Sequence, residues 1–331
     1  MKRQASTGGR NRDSGAVDAE EQLRTRVAWL YYIEGLTQEQ VAGKLGLNRL
    51  KVLRTLAACR EEGVVQVRIN SRLAGCVKLE RELEKTFGLA EAVVVPSPGD
   101  EADLAQIIGY STGVYLSENV ADGMTVGVGW GRTLQASLRA IASRSLNDLT
   151  IVSLLGGLTH ATAVSPSEFA WRFADIFDAE CYFVAAPVYT SDEATRDSLF
   201  AQKGLREVFD RASRLDMAIL SVGDATDGST VAEYGLIDRD ELASLRSAGA
   251  VGDILCHFLK ADGSLADHPV NRRVMAFDPT RLAKIPKVVL ASGGRHKIPI
   301  LLAAIALTRA SVLITDETTA AGLLARKSRE A

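Results

Sequence analysis

Cysteine, histidine and long apolar runs are what this sequence has least of. Its four cysteines (Cys59, Cys76, Cys181 and Cys256) stand far apart in 331 residues and form no Cys-x-x-Cys pair. That leaves no disulfide framework and no thiolate zinc site, and it fits a reducing cytoplasm. The four histidines, His160, His257, His268 and His296, are as scattered, so no metal-ligand spacing arises. No stretch of about 18 apolar residues occurs, so no membrane-spanning helix and no membrane partner are expected. There is no internal repeat. The first 18 residues are basic and rich in Gly, Ser and Arg but lack the apolar segment of a signal peptide, and they read as a disordered tail.

What is present is an ordinary globular composition, 47% apolar and 24% charged, in a chain long enough for one small and one large domain. The net charge of −2 argues against a uniformly nucleic-acid-binding surface. The charge is unevenly spread, however. Residues 1–72 carry 13 Lys/Arg against 8 Asp/Glu, so the basic excess sits at one end.

That end has its own pattern. From Glu20 to Glu34 apolar residues fall at Leu23, Val27, Leu30 and Tyr31, the spacing of one buried helical face, and Gly35 stops the helix. Thr37 with Gln40 three residues on predicts a capping box for a short helix over 38–45 that buries Val41, Ala42 and Leu45. Gly46 supplies a sharp turn. Asn48 then caps a third helix reaching about Cys59, with Val52, Leu53 and Leu56 inward. The alternation Val64-Val65-Gln66-Val67-Arg68-Ile69 suits a small β-wing strand. These features describe a winged helix-turn-helix over residues 19–72. On its third helix Arg49, Lys51 and Arg54 fall outside the apolar stripe, where contacts to the phosphates and base edges of double-stranded DNA originate. Thr37, Gln38 and Asn48 complete the candidate DNA-facing set.

After a helix over 73–87 the rhythm changes. Short apolar runs at 92–95, 125–128, 150–155, 179–184, 217–222, 287–291 and 312–314 alternate with helical segments at 101–119, 132–143, 168–177, 239–248, 298–307 and 318–326. Such alternation predicts an α/β domain over 73–331 with a doubly wound, mainly parallel sheet. Residues 254–259, a turn at 261–264 and residues 273–277 read as an inserted hairpin.

In open parallel sheets ligands bind at the carboxyl ends of the strands. Six loops fall there. The first, Gly127 to Thr133, has glycines that admit a ligand close to the backbone, with Arg132 and Thr133 adding a charge and a hydroxyl. The others are Gly156-Gly157-Leu158-Thr159, Gly223-Asp224, Val251-Gly252-Asp253-Ile254, Ser292 to Lys297 and Thr315-Asp316-Glu317. A dinucleotide site is disfavoured because no acidic residue follows the strand at 150–155 to hold a ribose. Asp253 and Lys297 suit sugar hydroxyls and a phosphate respectively.

The segment from Tyr31 to Ala42, continuing through Leu56 to Val64-Val65, resembles the DNA-binding end of the SorC family of sugar-responsive bacterial transcriptional regulators. VGVGWGRTL (126–134), VGDIL (251–255), GGRHK (293–297) and ITDETTA (314–320) resemble that family's effector-domain motifs, in the same order. The resemblance spans residues 20–324. It implies a homotetrameric regulator of a carbohydrate or polyol operon, without cofactor, whose DeoR-type sugar-binding domain is similar to sugar-phosphate isomerases and deaminases with catalysis lost. By motif match, Gly129, Trp130, Gly131, Arg132, Thr133, Gly156, Gly157 and Thr159 would hold the phosphate end of an effector. Asp253 and Lys297 would meet the sugar, and Asp224, from the loop after the run at 217–222, is a further effector-binding candidate. Whether the effector is a sugar, a polyol or a sugar phosphate stays open. The rival reading is a sugar-phosphate isomerase or deaminase with Asp224, Asp253 or Asp316 as general base.

Overall fold

The computed structural model describes residues 13–61, 64–65, 73–159 and 165–330. The chain divides into two compact units, residues 1–71 and 72–331.

The first unit holds α1 (Asp13–Tyr32), α2 (Gln38–Leu45) and α3 (Arg49–Glu61). Thr37 and Gln40 close the capping box reciprocally. The Thr37 amide donates to Gln40 Oε1 at 2.8 Å, and the Gln40 amide donates to Thr37 Oγ1 at 3.3 Å. Gly46 ends α2 at φ 67°, a left-handed conformation that glycine adopts without steric cost. Val27, Leu30, Val41, Ala42, Val52 and Leu56 form the core.

Two expectations change in this unit. Helix α1 begins at Asp13, so the last six residues of the expected tail are helical. Leu53 is 46% exposed, and Thr55 is buried instead. At 3.6 residues per turn the inward stripe through Val52, Leu56 and Cys59 takes in residue 55 and leaves residue 53 outside. Of the expected wing strand, residues 64–69, residues 66–69 lie outside the described residues.

The second unit runs α4 (Ala74–Phe87), β1 (Glu91–Val95), α5 (Leu104–Asn119), β2 (Thr125–Val128), α6 (Arg132–Ser137), β3 (Thr150–Gly157), α7 (Pro166–Phe177) and β4 (Glu180–Pro187). It continues with α8 (Glu193–Phe200), α9 (Lys203–Ala212), β5 (Met217–Leu220), β6 (Val222–Asp224), α10 (Thr230–Glu233), α11 (Arg239–Ser247), β7 (Ala250–Ile254) and β8 (His257–Lys260). It ends with α12 (Pro269–Arg272), β9 (Lys287–Ala291), α13 (Ile298–Thr308), β10 (Val312–Asp316) and α14 (Glu317–Glu330). Seven strands form one parallel sheet in the order β1-β10-β9-β5-β2-β3-β4.

Both faces of this sheet are covered, which is why its central strands read as continuous apolar runs. Met217, Ile219, Val289 and Ala291 face one core with α5, α6 and α7. Ala218, Leu220, Val288 and Leu290 face the other, with α9 and α13. The chain leaves β2 toward β3 and β4, then returns to β5 on the opposite side of β2 and continues outward to β9. The order therefore reverses between β2 and β5, and that crevice is where loops from both directions diverge.

The inserted hairpin is built differently from the expectation. Strands β7 and β8 turn at Leu255 and Cys256, both left-handed at φ 51° and 61°, and β6 completes a small antiparallel sheet. The Gly-containing segment 261–264 is a separate tight turn, with the Gly263 amide bonded to the Lys260 carbonyl at 3.0 Å. Residues 274–277 lie along β3 instead: the Phe277 amide donates to the Leu154 carbonyl at 2.7 Å, and the Gly156 amide to that of Met275 at 2.8 Å. A Leu-Cys turn lacks the Asn-Gly signature of such hairpins, so the composition pointed to the wrong turn.

Helix α5 lies very close to α6. A methyl group on Gly113 would fall 2.2 Å from the Ser137 carbonyl oxygen, and one on Gly109 2.5 Å from Ala136 Cβ. Gly113→Ala should therefore lower stability by about 1–3 kcal/mol of overpacking, against the roughly 1 kcal/mol that alanine gains in a helix. Gly204→Ala on α9, where nothing lies within 4 Å, should be neutral or raise stability by up to about 1 kcal/mol. Urea-unfolding midpoints of the two variants check this; equal shifts would contradict the close helix contact.

Candidate functional site

A cavity of about 200 Å³ opens at the β2/β5 crevice. Trp130, Gly131, Arg132 and Thr133 enter it from the end of β2, and Ser221, Val222, Gly223 and Asp224 from the end of β5. Residues 228–231 lead into α10, Asp253 comes from β7, and Gly293, His296 and Lys297 follow β9. Three strand ends and the small antiparallel sheet thus converge on one space, as the topology requires.

Asp253 is 3% exposed. It pairs across the β6/β7 ladder with Gly223, and a side chain at Gly223 would strike it, since a Cβ there would lie 2.2 Å from Asp253 Oδ1. The Cys256 amide donates to Asp253 Oδ2 at 3.1 Å, which ties the carboxylate to the left-handed turn. Tyr189 holds the same turn by donating its hydroxyl to the Cys256 carbonyl at 2.7 Å. Burial pushes the Asp253 carboxyl up to about 7, and Lys297 pulls against that rise.

Asp224 is buried too. Its Oδ1 accepts from the Thr226 amide at 2.8 Å, and His296 Nε2 stands 3.5 Å from its Oδ2. Burial lowers the Lys297 ammonium below its ordinary value, opposed by Asp224 and Asp253 and reinforced by Arg132. Arg132 is exposed and pairs with Glu233. Trp130 is buried, tilted against Tyr234 with ring centroids 6.4 Å apart. The buried Ser229 Oγ has no hydrogen-bond partner among the described residues. The cavity wall therefore combines two carboxylates, a lysine, buried hydroxyls at Thr133 and Ser229, and one aromatic ring. That set has the donors and acceptors to hydrogen-bond a small polyhydroxylated molecule and a cation to meet an anionic end.

Of the residues read from sequence, Trp130, Gly131, Arg132, Thr133, Asp224, Asp253 and Lys297 share this cavity, and Gly129, Gly156, Gly157 and Thr159 do not line it. Gly129 packs beneath, where a Cβ would be 3.4 Å from the Ile219 carbonyl oxygen. Strand β3 lies on the far side of β2, and Gly156 serves strand packing: a Cβ there would sit 2.6 Å from the Ala186 and Pro187 carbonyl oxygens. Thr159 is exposed. The sequence reading missed Gly228-Ser229-Thr230. Its signal was there, a glycine and two hydroxyl residues at a helix start beyond a strand end.

Asp316 is also outside the cavity lining. Its carboxylate accepts from Ser97 Oγ at 2.6 Å, from the Thr318, Thr319 and Gly294 amides at 3.1, 3.2 and 3.4 Å, and from Thr319 Oγ1. A carboxylate so fully bonded anchors loops and has no lone pair to spare for a substrate proton.

In the first unit Thr37, Asn48, Arg49, Lys51 and Arg54 are exposed and Gln38 is half-buried. Asn48 Oδ1 accepts from the Lys51 amide at 2.7 Å, capping α3 and leaving its first turn of cations in solvent.

The family described as "Putative sugar-binding domain" matches residues 71–325. The chain is 31% identical to the erythritol catabolism regulatory protein EryD of Brucella abortus (strain 2308), over 93% of this chain and 98% of that protein. It is 33% identical to the transcriptional regulator LsrR of Klebsiella pneumoniae subsp. pneumoniae, over 96% and 97%. The chain belongs to the SorC family of sugar-responsive transcriptional regulators. The crystal structure of the full-length sorbitol operon regulator SorC from Klebsiella pneumoniae shares the fold, with a TM-score of 0.71 at 24% identity over 93% of this chain and 99% of that one. The relatives are transcriptional regulators rather than enzymes, which sets aside the isomerase or deaminase reading. No described helix of this SorC-family chain is long and apolar enough to cross a membrane.

The Asp253 carboxyl gives a pH test of the site. Its ionisation is opposed in the folded chain and unopposed near 3.8 in the unfolded one. The wild type therefore pays an increasing penalty as pH rises toward 7, and Asp253→Asn does not. The stability difference should move in the variant's favour by about 2 kcal/mol between pH 5.5 and pH 7.5. Urea unfolding at the two pH values measures it, and a gap independent of pH would show that the carboxyl ionises freely.

Proposed function

We propose that the cavity binds a sugar, polyol or sugar phosphate and that its occupancy controls operator binding by the first unit. Asp224 and Asp253 accept from hydroxyl groups, Ser229 and Thr133 supply further hydroxyl contacts, and Trp130 gives an apolar wall to the carbon skeleton. Lys297 and Arg132 face the phosphate or another electron-rich end. The observation that carries this reading is the convergence of Asp224, Asp253 and Lys297 on one crevice at the strand-order reversal. The polyol in the name of the Brucella relative supports an effector of this class.

In the same reading α2, the Gly46 turn and α3 are a helix-turn-helix, completed by a wing after α3. Arg49, Lys51, Arg54, Asn48, Thr37 and Gln38 face double-stranded operator DNA. The chain works in the cytoplasm as a homotetramer without cofactor or catalytic residue. The effector acts by favouring one of two quaternary arrangements, which changes how paired helix-turn-helix modules match the operator.

Calorimetric titration against a panel of sugars, polyols and their phosphates tests the cavity. For a phosphorylated effector, Lys297→Ala should weaken binding by about 10- to 150-fold, the worth of a charge-assisted hydrogen bond. DNA binding without effector should persist. Normal effector affinity in that variant would remove Lys297 from the site.

Arg49→Ala and Arg54→Ala should each weaken DNA binding and lower the slope of log K against log salt by about 0.9 for a phosphate contact. Gel-shift titrations at several salt concentrations read both effects. An unchanged slope and affinity in both variants would remove α3 from the DNA interface.

A further inference from the structure

The ridge of α3 that points away from its core is apolar. Val52, Thr55, Leu56 and Cys59 are buried. With 3.6 residues per turn, an exposed ridge runs through Leu50, Leu53 and Ala57, with Arg49 along one edge and Arg54 along the other. Leu50 is 54% exposed and Leu53 46%, so two leucines one turn apart spend the free protein in water. The three-helix core does not include them. Cations stand on both sides. Among the described residues the ion pairs of this unit are Arg24–Glu20 and Lys44–Glu34, which leaves Arg49, Lys51 and Arg54 without an acidic partner.

An apolar ridge bordered by unpaired cations matches one class of surface closely. The walls of the DNA major groove are anionic phosphates, and its floor carries a single apolar group, the 5-methyl of thymine. A solvated basic helix would satisfy the phosphates alone. Leucines at the groove-facing positions add nothing to phosphate binding, and their chemistry suits only the methyl.

Resting on the DNA-binding reading above, we propose that Leu50 and Leu53 are specificity-determining residues that pack on thymine methyl groups in the operator's major groove. Arg49, Lys51 and Arg54 hold the backbone or neighbouring base edges, and the two leucines select T·A pairs at the positions beneath them.

The test removes the methyl group from the DNA and leaves the protein intact. The full chain is used to enrich tight binders from a random-sequence duplex pool, and the winning duplex is resynthesised with deoxyuridine replacing thymidine one position at a time. Every Watson–Crick and groove hydrogen bond survives that exchange. At one or two thymines in each half-site, deoxyuridine should weaken binding about four-fold, the worth of one buried methylene-sized group. The double variant Leu50→Ala/Leu53→Ala, altered only at exposed positions, should bind the thymidine and deoxyuridine duplexes equally at those positions. Deoxyuridine tolerated within two-fold throughout, or an undiminished penalty in the double variant, overturns the proposal. If the leucines instead pack against a second copy of the chain, the double variant will sediment as a smaller species while the methyl effect is absent, which also overturns it. Failure to enrich any duplex removes the DNA-binding reading itself, and this proposal with it.

Discussion

The structure depends most on holding one carboxylate out of water. Asp253 reaches the crevice from a short antiparallel strand, pressed against the backbone of Gly223 and fixed by the Cys256 amide. Burying a charge costs several kcal/mol unless partners compensate. One backbone donor is a partial return, and the nearby lysine is itself disfavoured as a cation by burial. Asp224 adds a second carboxylate to the same space. The free protein therefore keeps an undercompensated polar cluster at the mouth of an otherwise well-packed sheet. A ligand rich in hydroxyl groups would relieve that cost directly, because each O–H would bring a further donor to the carboxylates. Such a site discriminates against apolar molecules of equal size, which would leave the cluster unsatisfied.

The surrounding fold keeps the cluster from collapsing. The glycines that matter most lie behind and beside it, where backbones approach too closely for any side chain. Gly109 and Gly113 seat α6 on α5, and Gly156 lets the end of β3 pass under residues 186–187. Gly223 leaves room for the Asp253 carboxylate. The left-handed Leu255-Cys256 turn is costly for residues with side chains, and it is held from three sides by Asp253, Tyr189 and the β7/β8 ladder. The turn and the carboxylate stabilise each other, so the site's geometry is fixed before a ligand arrives.

Much of this was legible in the sequence. Long periodic helices and all seven strands of the parallel sheet announced themselves: the central strands are buried on both faces and apolar throughout, the edge strands β1 and β4 are apolar runs although partly exposed, and helices between them carry one apolar stripe. The helix at 193–200 buries no side chain and so has no apolar stripe to announce it; the helix at 203–212 carries a full stripe at Leu205, Val208, Phe209 and Ala212, a signal that was there and went unread. The turn between β7 and β8 was illegible for a different reason. Its φ values are enforced by tertiary partners rather than by residues that favour them. The glycine pair at 156–157 misled because glycine at a strand end has two meanings, ligand approach and backbone approach. Only the strand order decides between them: β3 lies one strand beyond the crevice, and the loop after β5, with Ser229, lies on it. Leu53 was misassigned because a hydrophobic residue next to a buried stripe looks like part of it until the angle is counted.

The carboxylates also bear on whether such a cluster serves chemistry or recognition. Asp316 is consumed by the structure, with both oxygens bonded to the start of α14, to Ser97 and to the Gly294 amide. Asp224 is half consumed through Oδ1 by Thr226, and its other oxygen faces His296. Asp253 has a carboxyl pushed up to about 7, a value that would serve a general base and that burial produces wherever a carboxyl must grip a hydroxyl group inside a protein. A perturbed carboxyl marks a functional site without stating whether the function is chemistry or recognition. Family membership decides that here. For a regulator the same burial is useful by itself: a free energy that only the right ligand releases can bias one arrangement of the protein over another, in proportion to how differently the two arrangements hold that ligand.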